Sequence, residues 1–151
     1  MTTMYLGSIG RCAAAVLLAA APLALAQMEG EKEGSGIRIS RSAICQRVEA
    51  RAPADEGTSF RSDVGELFAY TQVEGVTQPT RISHVWYHGD REIYRRDLQI
   101  QENGWRTWSG KTIDPSWTGP WRVEVLDENG GSLLTLQFTI AEPAGGGETG
   151  E

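Results

Sequence analysis

Residues 81–100, RISHVWYHGDREIYRRDLQI, decide the fold class. The first eight residues alternate in character, which puts four side chains on one face of a strand: Ile82, His84, Trp86 and His88. Gly89-Asp90 is a two-residue hairpin signal. Glu92–Ile100 then returns with apolar residues on a common face. The stretch therefore predicts a β-hairpin with one buried face.

The same strand pattern continues on both sides of this hairpin. The predicted strands are Ser42–Arg51, Glu66–Val73, Arg81–His88, Glu92–Ile100, Trp105–Ser109, Trp121–Asp127 and Leu133–Ile140, with a loop over Pro53–Asp63. Asn103-Gly104 and Asn129-Gly130-Gly131 mark further turns. About seven short strands without a helical period predict an immunoglobulin-like antiparallel β-sandwich, with a small β-barrel as the alternative. The Cys…Trp…Cys signature of a true immunoglobulin domain is missing.

The first 26 residues have the features of a secretory signal peptide. Arg11 is their only charged side chain, residues 13–25 are apolar except for Pro22, and Ala24-Leu25-Ala26 precedes the expected cleavage before Gln27. The apolar run is shorter than the about 20 residues that a membrane span needs. We therefore expect export to the periplasm or beyond the cell, with no stable membrane span after cleavage. The alternative is an uncleaved signal that anchors the protein in the membrane.

The remaining chain divides into a flexible leader (27–43), one β-sandwich domain (44–141) and a disordered tail (142–151). The full chain has 14 basic and 20 acidic residues and a net charge of −6, which argues against a nucleic-acid partner. Removal of the signal also removes Cys12. Cys45 is then the one cysteine left and cannot form an intrachain disulfide, so we expect it to be a small buried side chain.

All five tryptophans lie between residues 86 and 121, close to several charged side chains. Indole rings beside polar groups can form a sugar-binding platform. The candidate ligand-binding residues are Trp105, Arg106, Trp108, Ser109, Lys111, Trp117 and His84. The residues predicted to lie in the hydrophobic core instead are Cys45, Trp86, Trp121 and Phe138.

Arg106 and Lys111 are open to two interpretations, as ligand-binding groups or as ion-pair partners within the fold. Arg106 and Trp108 alternate onto one strand face, where the guanidinium could stack on the indole. Arg106 and Lys111 could also receive an acidic group of a ligand. In the other interpretation they pair with carboxylates at the end of the sheet, from Asp97, Asp114 or Asp127.

Metal binding and catalysis find little support in the sequence. His84 and His88 would share a strand face, but four residues at ~3.3 Å each separate them by ~13 Å, too far for one zinc ion. No nucleophile elbow, phosphate loop or dinucleotide fingerprint occurs, so we predict no metal and no cofactor. A thiol pair of Cys45 with His84 or His88 remains an alternative, because distance in sequence does not fix distance in space.

Several ordered blocks resemble domain-of-unknown-function family 2914, whose bacterial members often follow a signal or membrane segment. The blocks are His84-Val85-Trp86 with Gly89, Trp105-Arg106-Thr107-Trp108-Ser109 with Lys111, Gly119-Pro120-Trp121-Arg122-Val123-Glu124-Val125, and Asp127, Gly130 and Phe138. Cys45 and Pro53 also fit, so the resemblance spans roughly 44–141. It implies one exported domain, and because the family has no established activity it implies no catalytic residues.

Together these observations lead us to expect a non-catalytic exported binding module for envelope carbohydrate or an envelope protein. A hydrolytic or thiol enzyme using Cys45 and His84 is one alternative. A structural or assembly protein of the cell envelope is the other.

Overall fold

The computed structural model describes residues 36–143, which form nine β-strands. The strands are β1 (Arg38–Glu49), β2 (Ala52–Glu56), β3 (Ser59–Arg61), β4 (Glu66–Glu74), β5 (Thr80–His88), β6 (Arg91–Ile100), β7 (Trp105–Thr112), β8 (Gly119–Leu126) and β9 (Ser132–Ala141). The predicted signal peptide (1–26), most of the predicted leader and most of the predicted tail lie outside the described residues. Within residues 36–143, no helix has the length and apolar character that a membrane crossing needs.

The strands form two separate sheets that pack as a sandwich. Sheet A has the order β2-β1-β4-β7 and sheet B the order β3-β9-β8-β5-β6. The predicted all-β sandwich is confirmed, and the alternative of a small closed barrel is wrong for the described residues because each sheet keeps two edges. The pairing is antiparallel except between β3 and β9, which run parallel.

The hairpin predicted from residues 81–100 is formed by β5 and β6. His88 pairs with Arg91 across the two-residue turn, and Gly89 has the positive φ of 57° that such turns require. A register shift between Trp86 and Tyr87 marks a bulge in this pair.

The sequence prediction missed two strands and started the first strand too late in the chain. The predicted loop Pro53–Asp63 contains β2 and β3, whose polar residues hide the strand pattern because both lie at sheet edges. Pro53 is tolerated in β2 because an edge strand leaves one row of backbone groups unpaired. β1 begins at Arg38, so residues 38–43 of the predicted flexible leader are strand, held by pairing with β4.

Apolar side chains from both sheets fill the interior in two clusters. One contains ten buried residues: Ile44, Phe60, Leu67, Ala69, Trp86, Ile113, Trp121, Val123, Phe138 and Ile140. The other contains Val73, Ile82, Leu98, Ile100 and Val125. Three of the four predicted core residues, Trp86, Trp121 and Phe138, lie in the first cluster.

Candidate functional site

The structure divides the seven candidate ligand-binding residues among three places. Trp105, Arg106 and Trp108 line a surface groove. His84 and Ser109 lie inside the sandwich. Trp117 and Lys111 belong to an aromatic cluster outside the groove.

The groove lies along β7, which is an edge strand of sheet A. Six residues line this open groove of about 510 Å³, here called the edge groove: Arg51, Gln99, Trp105, Arg106, Thr107 and Trp108. β7 pairs with β4 along one edge, and its other edge is open. Residues from both faces of β7 therefore reach the groove. Gln99 of β6, in sheet B, completes the lining. Trp108 is half-buried and Arg106 is exposed, and both lie on the outer face of sheet A. Trp105 is half-buried on the inner face, where it packs against the second core cluster and leaves only part of its ring accessible to a ligand.

Arg51 reaches the edge groove from the β1–β2 turn. Ala50 and Arg51 both have positive φ, 48° and 60°, between the paired ends Glu49 and Ala52. The Tyr70 hydroxyl donates a 3.0 Å hydrogen bond to the Arg51 carbonyl, and the Tyr70 ring lies nearly parallel to Trp108, with centroids 6.4 Å apart. The Arg51 guanidinium carbon lies 5.7 Å from the centre of the Trp105 ring. The turn and Tyr70 therefore hold the backbone of Arg51 at the groove, and its guanidinium lies over Trp105.

The arginines of the edge groove form no ion pair within the described residues. Seven other arginines lie within 4.0 Å of a carboxylate: Arg38, Arg41, Arg47, Arg61, Arg81, Arg95 and Arg122. The carboxylates considered as partners for Arg106 bond elsewhere, since Asp97 accepts from Ser83 and Asp114 from Ser116. The cation that lies over an indole of β7 is Arg51, in place of the Arg106–Trp108 stack suggested by the alternation.

A second open cleft, of about 500 Å³, lies beside the β5–β6 turn. Its cationic lining residue, Arg122, donates a 3.0 Å hydrogen bond to Glu124 and a 2.8 Å bond to the Gly89 carbonyl. The Arg122 guanidinium also lies 3.9 Å from the centre of the Tyr87 ring. Because the binding groups of this guanidinium are already engaged, we regard the edge groove as the better candidate site.

His84 and Ser109 were grouped with the surface tryptophans from sequence, but they form a buried network between the sheets. His84 is fully buried, with Nδ1 2.9 Å from Ser109 Oγ and Nε2 3.2 Å from Thr71 Oγ1. Trp86 Nε1 donates to the same Ser109 hydroxyl at 3.0 Å. Burial lowers the pKa of His84 from 6.5 to about 4, so the ring is neutral near pH 7. The pairing of histidine with serine is inaccessible to a substrate and links sheet B to sheet A.

Trp117 lies in an aromatic cluster with His88 and Trp121. The His88 ring stacks on Trp121 at 4.9 Å and lies 6.2 Å from Trp117. Lys111 Nζ lies 5.5 Å from the centre of the Trp117 ring. His88 Nε2 is 2.7 Å from the Thr118 carbonyl oxygen, so this ring nitrogen already has a hydrogen-bond partner within the fold. Among residues 36–143, no group of three or more His, Cys, Asp or Glu side chains is placed to hold a metal ion.

Cys45 is fully buried, but it does not share a sheet face with the buried histidine. It pairs with Phe68, whereas the neighbouring pair Ile44–Ala69 contributes to the core between the sheets. Cys45 therefore lies on the outer side of sheet A, and His84 lies on the inner side. Burial raises the pKa of the Cys45 thiol, which disfavours the reactive thiolate.

Comparisons with known proteins agree with the blocks identified in the sequence. A search of curated proteins finds no match to the chain. The family described as "Protein of unknown function (DUF2914)" matches residues 79–140, from the residue before β5 to the penultimate residue of β9. Cys45 and Pro53, which also fitted the resemblance, precede the matched region. Residues 79–140 thus match family DUF2914, and the resemblance drawn from the sequence is confirmed over that range.

Proposed function

We propose that this protein is a non-catalytic binding module that holds carbohydrate in the edge groove. The observation that carries the proposal is the placement of two half-buried indoles, Trp105 and Trp108, in one open groove with polar side chains. An indole face packs well against the C–H face of a pyranose ring. The guanidinium groups and the Gln99 amide can bond sugar hydroxyls.

The residues that line the groove also support binding without catalysis. Its lining contains two arginines, two tryptophans, a glutamine and a threonine, but no carboxylate, histidine or cysteine that could act as a general base or nucleophile. The alternative of a thiol enzyme receives no support, because Cys45 and His84 lie on opposite sides of sheet A. The hydrolytic alternative would need a different base from the buried His84.

The cellular setting belongs to the same proposal. The signal-like segment 1–26 supports export, and the expected place of action is the bacterial envelope or the medium. The immunoglobulin-like character of the sandwich also stays a prediction. A structural or assembly role in the envelope is the remaining alternative.

A protein partner is the second candidate, favoured by the position of β7. An edge strand has a row of free backbone groups to which a partner strand can add. Such a partner would bond mainly to the backbone, so it would tolerate the loss of an indole better than a stacked sugar would.

The carbohydrate proposal is tested by replacing one groove tryptophan. We expect Trp108→Ala to weaken binding to soluble glycans and cell-wall fragments about five- to thirtyfold, because a lost stacking ring costs on the order of 1–2 kcal/mol. Trp117→Ala is the matched control, since Trp117 is also half-buried but lies outside the groove. Affinities are measured by a glycan array and titration calorimetry, with circular dichroism to check the fold.

Two results would contradict this function. One is that the wild-type protein binds no glycan in either assay. The other is that Trp108→Ala and Trp117→Ala, both folded, lose affinity to the same extent.

A further inference from the structure

We propose that the edge groove recognises acidic carbohydrate, namely a glycan whose sugars carry carboxylates, with Arg51 and Arg106 as the paired anion-binding residues. This inference rests on the proposed function and narrows it to one class of glycan. It also replaces the pair suggested by the sequence, because Lys111 lies over Trp117 outside the groove while Arg51 lies within it.

The charge of the groove is the first argument. Two guanidinium groups line it, and within the described part of the chain neither has a carboxylate within 4.0 Å. Arg91 and Arg96 of β6 also lack such a partner, but neither lines the groove. Two guanidinium groups without an ion-pair partner beside apolar rings favour an anionic ligand, because carboxylates accept strong two-point hydrogen bonds from guanidinium groups.

The rings beside these cations are the second argument. Trp105 and Trp108 can pack against sugar rings, and the cations flank them. A simple inorganic anion would use the arginines alone, and a neutral sugar would use the rings and leave both charges unpaired. A carboxylated pyranose uses both kinds of group at once.

The fixed position of Arg51 is the third argument. Its backbone is held in a left-handed turn, and its carbonyl accepts the Tyr70 hydroxyl, whose ring lies alongside Trp108. The backbone of Arg51 therefore loses less conformational freedom on binding than it would on a mobile loop.

A substitution of Glu102 tests the proposal in the opposite direction, because it should strengthen the binding of acidic glycans. Glu102 lines the adjoining cavity of about 250 Å³ together with Arg51, Trp105 and Arg106, and it is exposed. Its carboxylate would repel an acidic ligand without contacting the groove directly. Removal of that charge should therefore strengthen binding of acidic glycans and leave neutral ones unaffected.

The experiment compares matched acidic and neutral probes on the full-length protein. The probes are hexasaccharides of galacturonic, mannuronic and guluronic acid and their carboxyl-reduced neutral counterparts, measured by calorimetry at low and moderate salt. We expect binding of an acidic probe at least about tenfold tighter than of its neutral counterpart, with affinity falling as salt rises. Arg51→Gln and Arg106→Gln should each weaken acidic binding about tenfold. Glu102→Gln should strengthen it about twofold, which is the modest gain expected of an exposed charge.

Arg91→Gln is the charge-matched control. Arg91 lies on the same strand as the groove residue Gln99 but eight residues away, about 26 Å along β6. This variant removes the same net charge, so it separates a local guanidinium contact from a general loss of positive potential. We expect its affinity for acidic probes to stay within about twofold of wild type, given screening at moderate salt.

The outcomes separate this inference from the function on which it rests. Equal binding of acidic and neutral probes would overturn the acidic specificity and leave the carbohydrate function standing. Acidic binding that Arg91→Gln weakens as much as Arg51→Gln would overturn the role of the groove arginines. Binding of no probe, neutral or acidic, would overturn the inference and count against the carbohydrate function as well.

Discussion

At the residue scale, the buried ring of His84 forms a polar contact between the two sheets. A histidine near serine and tryptophan looks like part of a site, yet its ring nitrogens contact Thr71 and Ser109 in the interior. Both partners come from sheet A, whereas His84 belongs to sheet B. Because buried polar groups cost free energy unless they are hydrogen-bonded, this network favours one particular alignment of the sheets.

The depressed pKa of His84 predicts that the fold weakens in mild acid. The unfolded chain binds a proton at His84 near pH 6.5, while the folded protein resists protonation until about pH 4. The stabilisation is therefore complete above pH 6.5 and is lost as the pH falls to about 4, a loss of about 3 kcal/mol from this residue. Urea unfolding at several pH values measures it.

His84→Gln should flatten this pH dependence. A nuclear magnetic resonance titration of wild type provides an independent check. Its His84 ring signals should not shift between pH 7 and pH 5. A midpoint near 6.5 for those signals would show that the ring is not held neutral by burial.

At the element scale, the β1–β2 turn connects local backbone strain to the edge groove. Ala50 and Arg51 occupy the left-handed region, which side chains other than glycine, asparagine and aspartate rarely adopt. The two-residue hairpin requires this geometry. Tertiary contacts of Arg51 with Tyr70 and Trp105 offset the strain.

Relief of that strain should stabilise the protein. We expect Ala50→Gly to raise the free energy of unfolding by about 0.5–1 kcal/mol, because glycine adopts a positive φ without a steric penalty. Ala54→Gly, in the neighbouring strand β2, should lower it by a similar amount. Urea denaturation of both variants tests this, and a destabilised Ala50→Gly would contradict the assignment of strain to the turn.

At the scale of the whole molecule, the core needs residues from outside the family match. The match covers residues 79–140, but Ile44, Phe60, Leu67 and Ala69 belong to the larger core cluster. The strand paired with β7 is β4, which also precedes the match. The matched region therefore contains most of sheet B and a single strand of sheet A.

A fragment of residues 79–140 should not fold by itself. Without β1 and β4 it would expose one face of its core to water, and a half-sandwich of that size buries too little apolar surface. A fragment of residues 36–143 should unfold cooperatively in urea. Circular dichroism and the urea transition distinguish the two, and a cooperative transition in the shorter fragment would show that β1, β2, β3 and β4 are dispensable for folding.

Seven of the nine strands, the β5–β6 hairpin and the family resemblance follow from the amino-acid sequence alone. Alternation at 81–100 and the Gly89-Asp90 turn are local signals, and strand pattern and turn chemistry depend on neighbouring residues along the chain. The same local rules missed β2 and β3. These strands are short and polar and lie at sheet edges, so they are defined by pairing with β1 and β9 and their own sequence shows little strand pattern.

The packing of the two sheets determines which candidate residues lie together. It placed Arg51, 54 residues before Trp105, against that ring, and it separated His84, Ser109, Lys111 and Trp117 from the groove. No local pattern could show this, because the position of a side chain between sheets or at a sheet edge depends on the strand order. The five tryptophans between residues 86 and 121 therefore divide, by burial, into core and candidate binding surface.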